Sequence, residues 1–346
     1  MLLSIDNGVF TKRFAGRWGV VFGTISLGAC TAAPADTVDD EALLGRATSV
    51  FSALDAVPAE TLNDPAVQLG QRLYWDVRLS ANGRTSCASC HHAEAGGSDP
   101  RPFPTDARGL PTSRHSQSVF NAMQQQARLR WLGDRESGAH QAERSITGSM
   151  GFDDAEDIVP LLMDLGYEDA FSAAFATEAQ PLTPATYGRA IQAYQETLVT
   201  PAAFDRYLAG NREALTNEQK LGMEVFMATG CAACHSGALL GGSTFQKFGM
   251  IRDYWTATGK TGEPDVGRFA VTGEERDRYV FRVPMLRNVA RTAPYFHDGS
   301  VATLPEAVRV MASVQLDRSI GDEELRRIVA FLESLTGEVP VNYRAP

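Results

Sequence analysis

At 346 residues the chain is long enough for two domains, each with its own core, and its 44% hydrophobic content is that of a globular protein, which excludes a disordered chain and a polytopic membrane protein. The net charge of −10 excludes a nucleic-acid-binding surface, which needs a basic excess. An acidic surface suits a basic protein partner, although it also serves plain solubility.

Lys12, Arg13 and Arg17 precede an apolar run from Trp18 to Ala29 that ends in Leu27-Gly28-Ala29-Cys30. Residues 1–30 therefore read as an export signal, too short to be a transmembrane helix. The ending resembles a bacterial lipobox, which implies a periplasmic protein anchored in a membrane by a lipidated Cys30; an ordinary signal peptide with a chance cysteine is the alternative. Residues 31–55, rich in Ala, Asp, Thr and Pro, are expected to form a flexible tether. Beyond them the pattern is helical. Asp64-Pro65 opens a helix carrying Val67, Leu69, Leu73 and Tyr74, and Thr183-Pro184 opens one carrying Tyr187, Ile191, Tyr194 and Leu198. Thr216 to Gln219 and Thr303 to Glu306 read as capping boxes, and a last helix carries Leu325, Ile328, Leu332 and Leu335, with Gly337 as its stop. The expected class is all-α. A faint repeat divides the chain: Leu69-Gly70-x-x-Leu73-Tyr74 precedes Cys87-Ala-Ser-Cys90-His91, and Leu221-Gly222-x-x-Val225-Phe226 precedes Cys231-Ala-Ala-Cys234-His235. Two related domains follow, 56–205 and 206–340.

The C-x-x-C-H motifs carry the chemistry. Two thiols at this spacing can add to the two vinyl groups of one haem and leave the adjacent histidine under the iron. A disulfide redox motif, a four-cysteine zinc site and two structural disulfides are the competing readings. The first needs a βαβ context, and zinc gives no reason for a histidine at the same offset in both copies. The motifs use every cysteine except Cys30, so two covalently bound haem c groups are expected, with His91 and His235 as proximal ligands. The sixth iron position separates electron transfer from catalysis, and six histidines and nine methionines leave it open on composition alone.

The stretch Tyr279-Val-Phe-Arg-Val-Pro-Met-Leu-Arg-Asn288, with Pro294-Tyr-Phe-His-Asp-Gly299 and Ala307-Val-Arg-Val-Met311, resembles the C-terminal signature of the bacterial di-haem cytochrome c peroxidases and of their relative MauG, which oxidises tryptophans in a partner protein. The resemblance covers nearly all of residues 60–340. It implies two cytochrome-c-like domains face to face, a peroxide-reducing N-terminal haem, and a C-terminal haem fed by a small donor cytochrome or cupredoxin. Met311 then matches the distal ligand of the second haem, with Met285 as packing; a tyrosine there would mark the MauG branch. Trp131 matches a relay between the haems, Gln141 a distal glutamine of the first haem, and His297 a histidine beside the haems that is not an iron ligand. The family is often dimeric.

Three departures stand out. No histidine lies in 98–113 to cap the first haem, which is then open at rest; His92 is too close to the proximal ligand to serve. No carboxylate lies in Ile146–Gly151, where the family's distal glutamate belongs, leaving Glu143 or His140 as substitutes for a proton-moving group. Thr292 and Pro294 match carbonyl donors to a family calcium ion, but His115 stands where an asparagine should, and imidazole is a poor ligand for so hard a cation. A MauG-like oxidase of a protein substrate and a non-enzymatic electron carrier are the alternative functions.

Overall fold

The computed structural model of the protein describes residues 38–125, 128–261 and 263–346; the expected export signal and Cys30 lie outside the described residues. Asp39 caps α1 (Asp40–Val50) by accepting from the Ala42 N–H at 3.1 Å. Leu43 and Ala47 of this helix, and Phe51 beyond it, are buried against Phe204, Phe226 and Phe331 of the C-terminal half. From residue 38 onward, therefore, the expected tether is structured. Its four-residue apolar spacing makes a helical stripe that its polar composition conceals.

Asp64 and Pro65 open α2 (Pro65–Trp75) as expected, and α3 (Gly138–Thr147) begins at the Ser137 cap. Two short helices, α4 (Ile158–Asp164) and α5 (Glu168–Ala174), lead to α6 (Pro184–Glu196), whose Thr183 cap accepts from Thr186 N–H at 3.1 Å. These elements enclose one core, which includes Leu73, Ile146, Phe171 and Ile191. After Leu198 the chain enters a second core at Phe204 on α7 (Ala203–Leu208). The Thr216–Gln219 box starts α8 (Asn217–Thr229). Single turns α9 (Tyr254–Ala257) and α10 (Phe269–Thr272) lie in a long loop. There β1 (Phe245–Lys247) pairs antiparallel with β2 (Val280–Arg282), Gln246 opposite Phe281, an addition to the all-helical expectation. Thr303 caps α11 (Leu304–Leu316), and α12 (Asp322–Glu333) completes the second core.

The repeated Leu-Gly has a packing cause. A Cβ on Gly70 would lie 1.9 Å from the Ala190 carbonyl oxygen of α6, and one on Gly222 would lie 1.9 Å from that of Arg327 on α12. Each glycine lets the helix before a C-x-x-C-H motif cross its partner backbone to backbone. Gly337, expected as a helix stop, does something similar: α12 ends at Glu333, whereas Gly337 donates to Asn288 Oδ1 at 3.0 Å where a Cβ would meet the Thr200 carbonyl oxygen at 2.3 Å.

The first described helix and the C-terminal tail are exchanged between the cores. Just as α1 packs in the second, the C-terminal tail straps the first: the Asn342 carbonyl accepts from Gln71 Nε2 and Tyr194 OH, both at 2.9 Å, and Tyr343 packs its ring on Phe120 and Trp75.

Candidate haem sites and the wall between them

Each motif sits on a 3₁₀ turn, Cys87–Ser89 capped by Ser86, and Cys231–Ala233 after Gly230, whose φ of 99° ends α8 and turns the chain. The turn sets the direction of the histidine that follows. His91 Nδ1 donates to the Gly97 carbonyl at 3.0 Å, and His235 Nδ1 to the Leu240 carbonyl at 2.9 Å. A carbonyl can only accept, so both imidazoles carry their proton on Nδ1 and present the Nε2 lone pair. Burial pushes His91 down to about 4 and lowers His235 as well, which keeps both neutral, as a metal ligand must be.

The competing readings fare worse. Burial raises Cys87 to about 12, and Cys90 and Cys231 to about 11, the opposite of an activated redox dithiol. Among the described residues no three His, Cys, Asp or Glu side chains are grouped to hold a metal ion, which removes the zinc site.

Beside each motif lies a cavity of ligand-binding size. The first, ≈ 410 Å³, is lined by Cys87, Cys90, His91 and Gln141; the second, ≈ 290 Å³, by Cys231, Cys234, His235 and Met311. They share a wall made of His115–Ser118, Trp131 and Arg282. Trp131 is fixed there at two points: its Nε1 donates to the His115 carbonyl at 2.9 Å, and its own carbonyl accepts from Arg282 N–H at 2.8 Å. His297 lies on the second cavity, 3% exposed, stacked on Phe281 at 4.4 Å with Trp131 edge-on at 6.3 Å. Burial takes its pKa down to about 4.

Thr292, Pro294 and Met285 also line the second cavity, so Met285 shares it with Met311. His115 is committed elsewhere, with Nε2 3.2 Å from Ser98 Oγ and Nδ1 3.1 Å from the Arg101 carbonyl. His92 faces Glu94 and Asp99 and is absent from both linings. So are Glu143 and His140, the expected substitutes for the missing carboxylate; the carboxylates lining the first cavity are Asp106 and Asp134. Met123 and Met150 line it too, and sequence reasoning passed them over because nothing local distinguishes them from core methionines.

A haem is a large apolar plate with two carboxylates, and the linings fit it. The second cavity is walled by Phe226, Leu304, Ile328 and Leu332. On the first, Gln125 Oε1, Gln141 Oε1, Gln195 Oε1 and Arg135 Nε are buried without a hydrogen-bond partner. The guanidinium of Arg282, a residue 2% exposed and in both linings, donates to Gln117 Oε1 at 2.8 Å and the Arg130 carbonyl at 2.9 Å, leaving Nη1 without a partner and, among the described residues, no carboxylate paired with it. Burial lowers this guanidinium to about 10, a penalty that a bound anion relieves. Orphaned donors and acceptors facing a cavity are what a bound polar group leaves behind.

A helical protein with two C-x-x-C-H motifs, each beside its own cavity, has the fold and sites of the di-haem cytochrome class. Residues 64–213 match the family model described as di-haem cytochrome c peroxidase. The chain is 38% identical to cytochrome c551 peroxidase of Pseudomonas aeruginosa over 309 residues, 87% of this chain and 88% of the relative. With the methylamine utilization protein MauG of Methylorubrum extorquens it shares 31% over 349 residues, 93% and 94% of the two chains. Among solved structures, a MauG-like protein associated with microbial copper homeostasis superposes with a TM-score of 0.71 at 29% identity, covering 84% of this chain and 96% of the other. The chain belongs to the di-haem cytochrome c peroxidase family and is an oxidoreductase of the peroxidase type.

Proposed function

We propose that the protein reduces hydrogen peroxide to water at its N-terminal site with electrons that a small donor cytochrome or cupredoxin delivers to its C-terminal site. Two haem c groups, joined through Cys87, Cys90, Cys231 and Cys234, would supply the iron redox chemistry. His91 would hold the first iron alone, and His235 with Met311 the second; the Nδ1 bonds to Gly97 and Leu240 keep each imidazole in the ligating tautomer. Arg282 would bind propionate and hold its negative charge in the wall. Gln141, whose Oε1 lacks a partner, would orient peroxide. Trp131 would carry electrons across. His297, neutral and buried behind Trp131, holds its ring without adding charge. The mature protein would be periplasmic, anchored through Cys30.

One observation carries this reading: Trp131 stands in the wall common to two cavities, each with a neutral histidine of free Nε2. Low-temperature electron paramagnetic resonance of the ferric protein tests it. The expected result is a high-spin signal that disappears with one equivalent of peroxide. Two low-spin signals unmoved by peroxide, even after half-reduction, would sink it and favour an electron carrier, with Met123 or Met150 in the first cavity as the cap. The resemblance to MauG supports a second reading, oxidation of a partner protein, which forecasts a peroxide-generated state that persists until that partner is added.

A further inference from the structure

Trp131 is one end of a file of rings that runs to the protein surface. Trp131 meets His297 edge-on at 6.3 Å, His297 meets Trp255 of α9 edge-on at 6.3 Å, and Trp255 lies against Tyr279 at 4.7 Å. From His297 outward burial falls. His297 is 3% exposed, whereas Trp255 and Tyr279 are half-buried. The backbone fixes the outer end of the file in place. Tyr279 sits at φ 63°, a conformation that a bulky residue adopts only under constraint, held by Tyr279 N–H donating to Val266 O at 2.9 Å and Phe248 N–H donating to Tyr279 O at 2.8 Å. Tyr254 touches both His297 (6.2 Å) and Trp255 (5.4 Å) from beside the file, with its hydroxyl 2.9 Å from Ser300 Oγ and 3.3 Å from Asp298 Oδ2, the carboxylate that pairs with Lys260. The file itself runs on from His297 through Trp255 to Tyr279.

We propose that Trp255 and Tyr279 form a second oxidation site, at the surface, where small phenols give up single electrons that pass inward through His297 to Trp131. The proposal rests on the peroxidase reading above. Two phenol molecules each lose one electron and one proton as their O–H bonds break, giving two phenoxyl radicals. Those two electrons and two protons reduce one peroxide, whose O–O bond breaks, to two waters. Without an external reductant, Trp255 itself is the donor: a water oxygen adds to its ring as two electrons and two protons leave, so Trp255 and one peroxide give hydroxytryptophan and one water.

The test uses the haem-loaded protein and the pair of substitutions Trp255→Phe and Tyr279→Phe, which keep ring packing. Peroxide turnover is measured with guaiacol and, separately, with a reduced small cytochrome. The expected result is a loss of at least about tenfold in guaiacol turnover with cytochrome turnover unchanged. Guaiacol turnover that survives in the variant, or cytochrome turnover without guaiacol turnover in the parent, overturns the surface site alone. Failure of the parent with both reductants overturns the peroxidase reading. Peptide mass mapping of the parent after peroxide alone needs no variant to fold: oxygen addition at Trp255 supports the site, and addition at the half-buried Trp75 instead refutes it.

Discussion

Replacing Asp205 by Asn should be among the most damaging single changes outside the haem sites. The Arg287 side chain is fully buried, and its only carboxylate partner among the described residues is Asp205, met through Nη1 at 2.7 Å and Nη2 at 2.8 Å. The same carboxylate accepts from Leu54 N–H and Ala202 N–H, both at 2.6 Å, so it ties the stretch after α1 to the start of α7. Asn supplies one acceptor oxygen in place of two and turns an NH₂ toward donors. One charge-assisted bond goes, one backbone N–H is left unpaired, and Arg287 stays buried with its charge uncompensated. Each of the first two losses costs about 1–3 kcal/mol, and breaking a buried pair from one side costs about 3–5 kcal/mol in all. That is a large part of the roughly 5–15 kcal/mol that holds a domain folded. Urea unfolding followed by circular dichroism should show the midpoint falling at nearly constant slope. Adding Arg287→Met to Asp205→Asn should recover part of the loss, because no charge then remains to be buried, while one backbone N–H stays unpaired. A drop below about 1 kcal/mol for Asp205→Asn would refute the reasoning, since that is the scale of a solvent-screened surface pair.

Gly222→Ala should destabilise by about 2–3 kcal/mol in the same assay, because α8 and α12 must part to admit the methyl group. Gly45→Ala on the open face of α1, where a Cβ meets nothing within 4 Å, should be neutral or stabilising by up to about 1 kcal/mol. Burial holds His297 near 4 in the folded protein, below its unfolded value of about 6.5, so only the unfolded chain binds the proton between those values. His297 should therefore contribute a fall in stability of about 1.4 kcal/mol per pH unit as pH drops through that window, and His297→Gln should reduce the slope by that amount when unfolding midpoints are compared across pH. Trp131→Phe should leave both haem spectra intact and slow peroxide turnover by at least about tenfold.

Local chemistry was readable from the chain alone. The C-x-x-C-H motifs, the caps at Asp64, Thr183, Thr216 and Thr303 and the apolar stripes of α2, α6 and α12 depend on residues within a turn or two of one another, and the family signature around Met311 is likewise a linear string. Composition misled where a helix carries few apolar residues, as in α1, and Gly337 looked like a stop because a helix end and a close backbone approach both ask for glycine. Other features exist only where surfaces distant in sequence meet. Trp131 enters the wall between the cavities because Arg282, brought alongside by the pairing of β1 with β2, binds its carbonyl. Glu143 and His140 are kept off the first cavity by the helical turn that places Gln141 on it. A sequence determines which groups the protein has; burial, which strips water from Arg282, Arg287 and His297 and so sets their charge and partners, is decided by which faces the folded chain closes on one another.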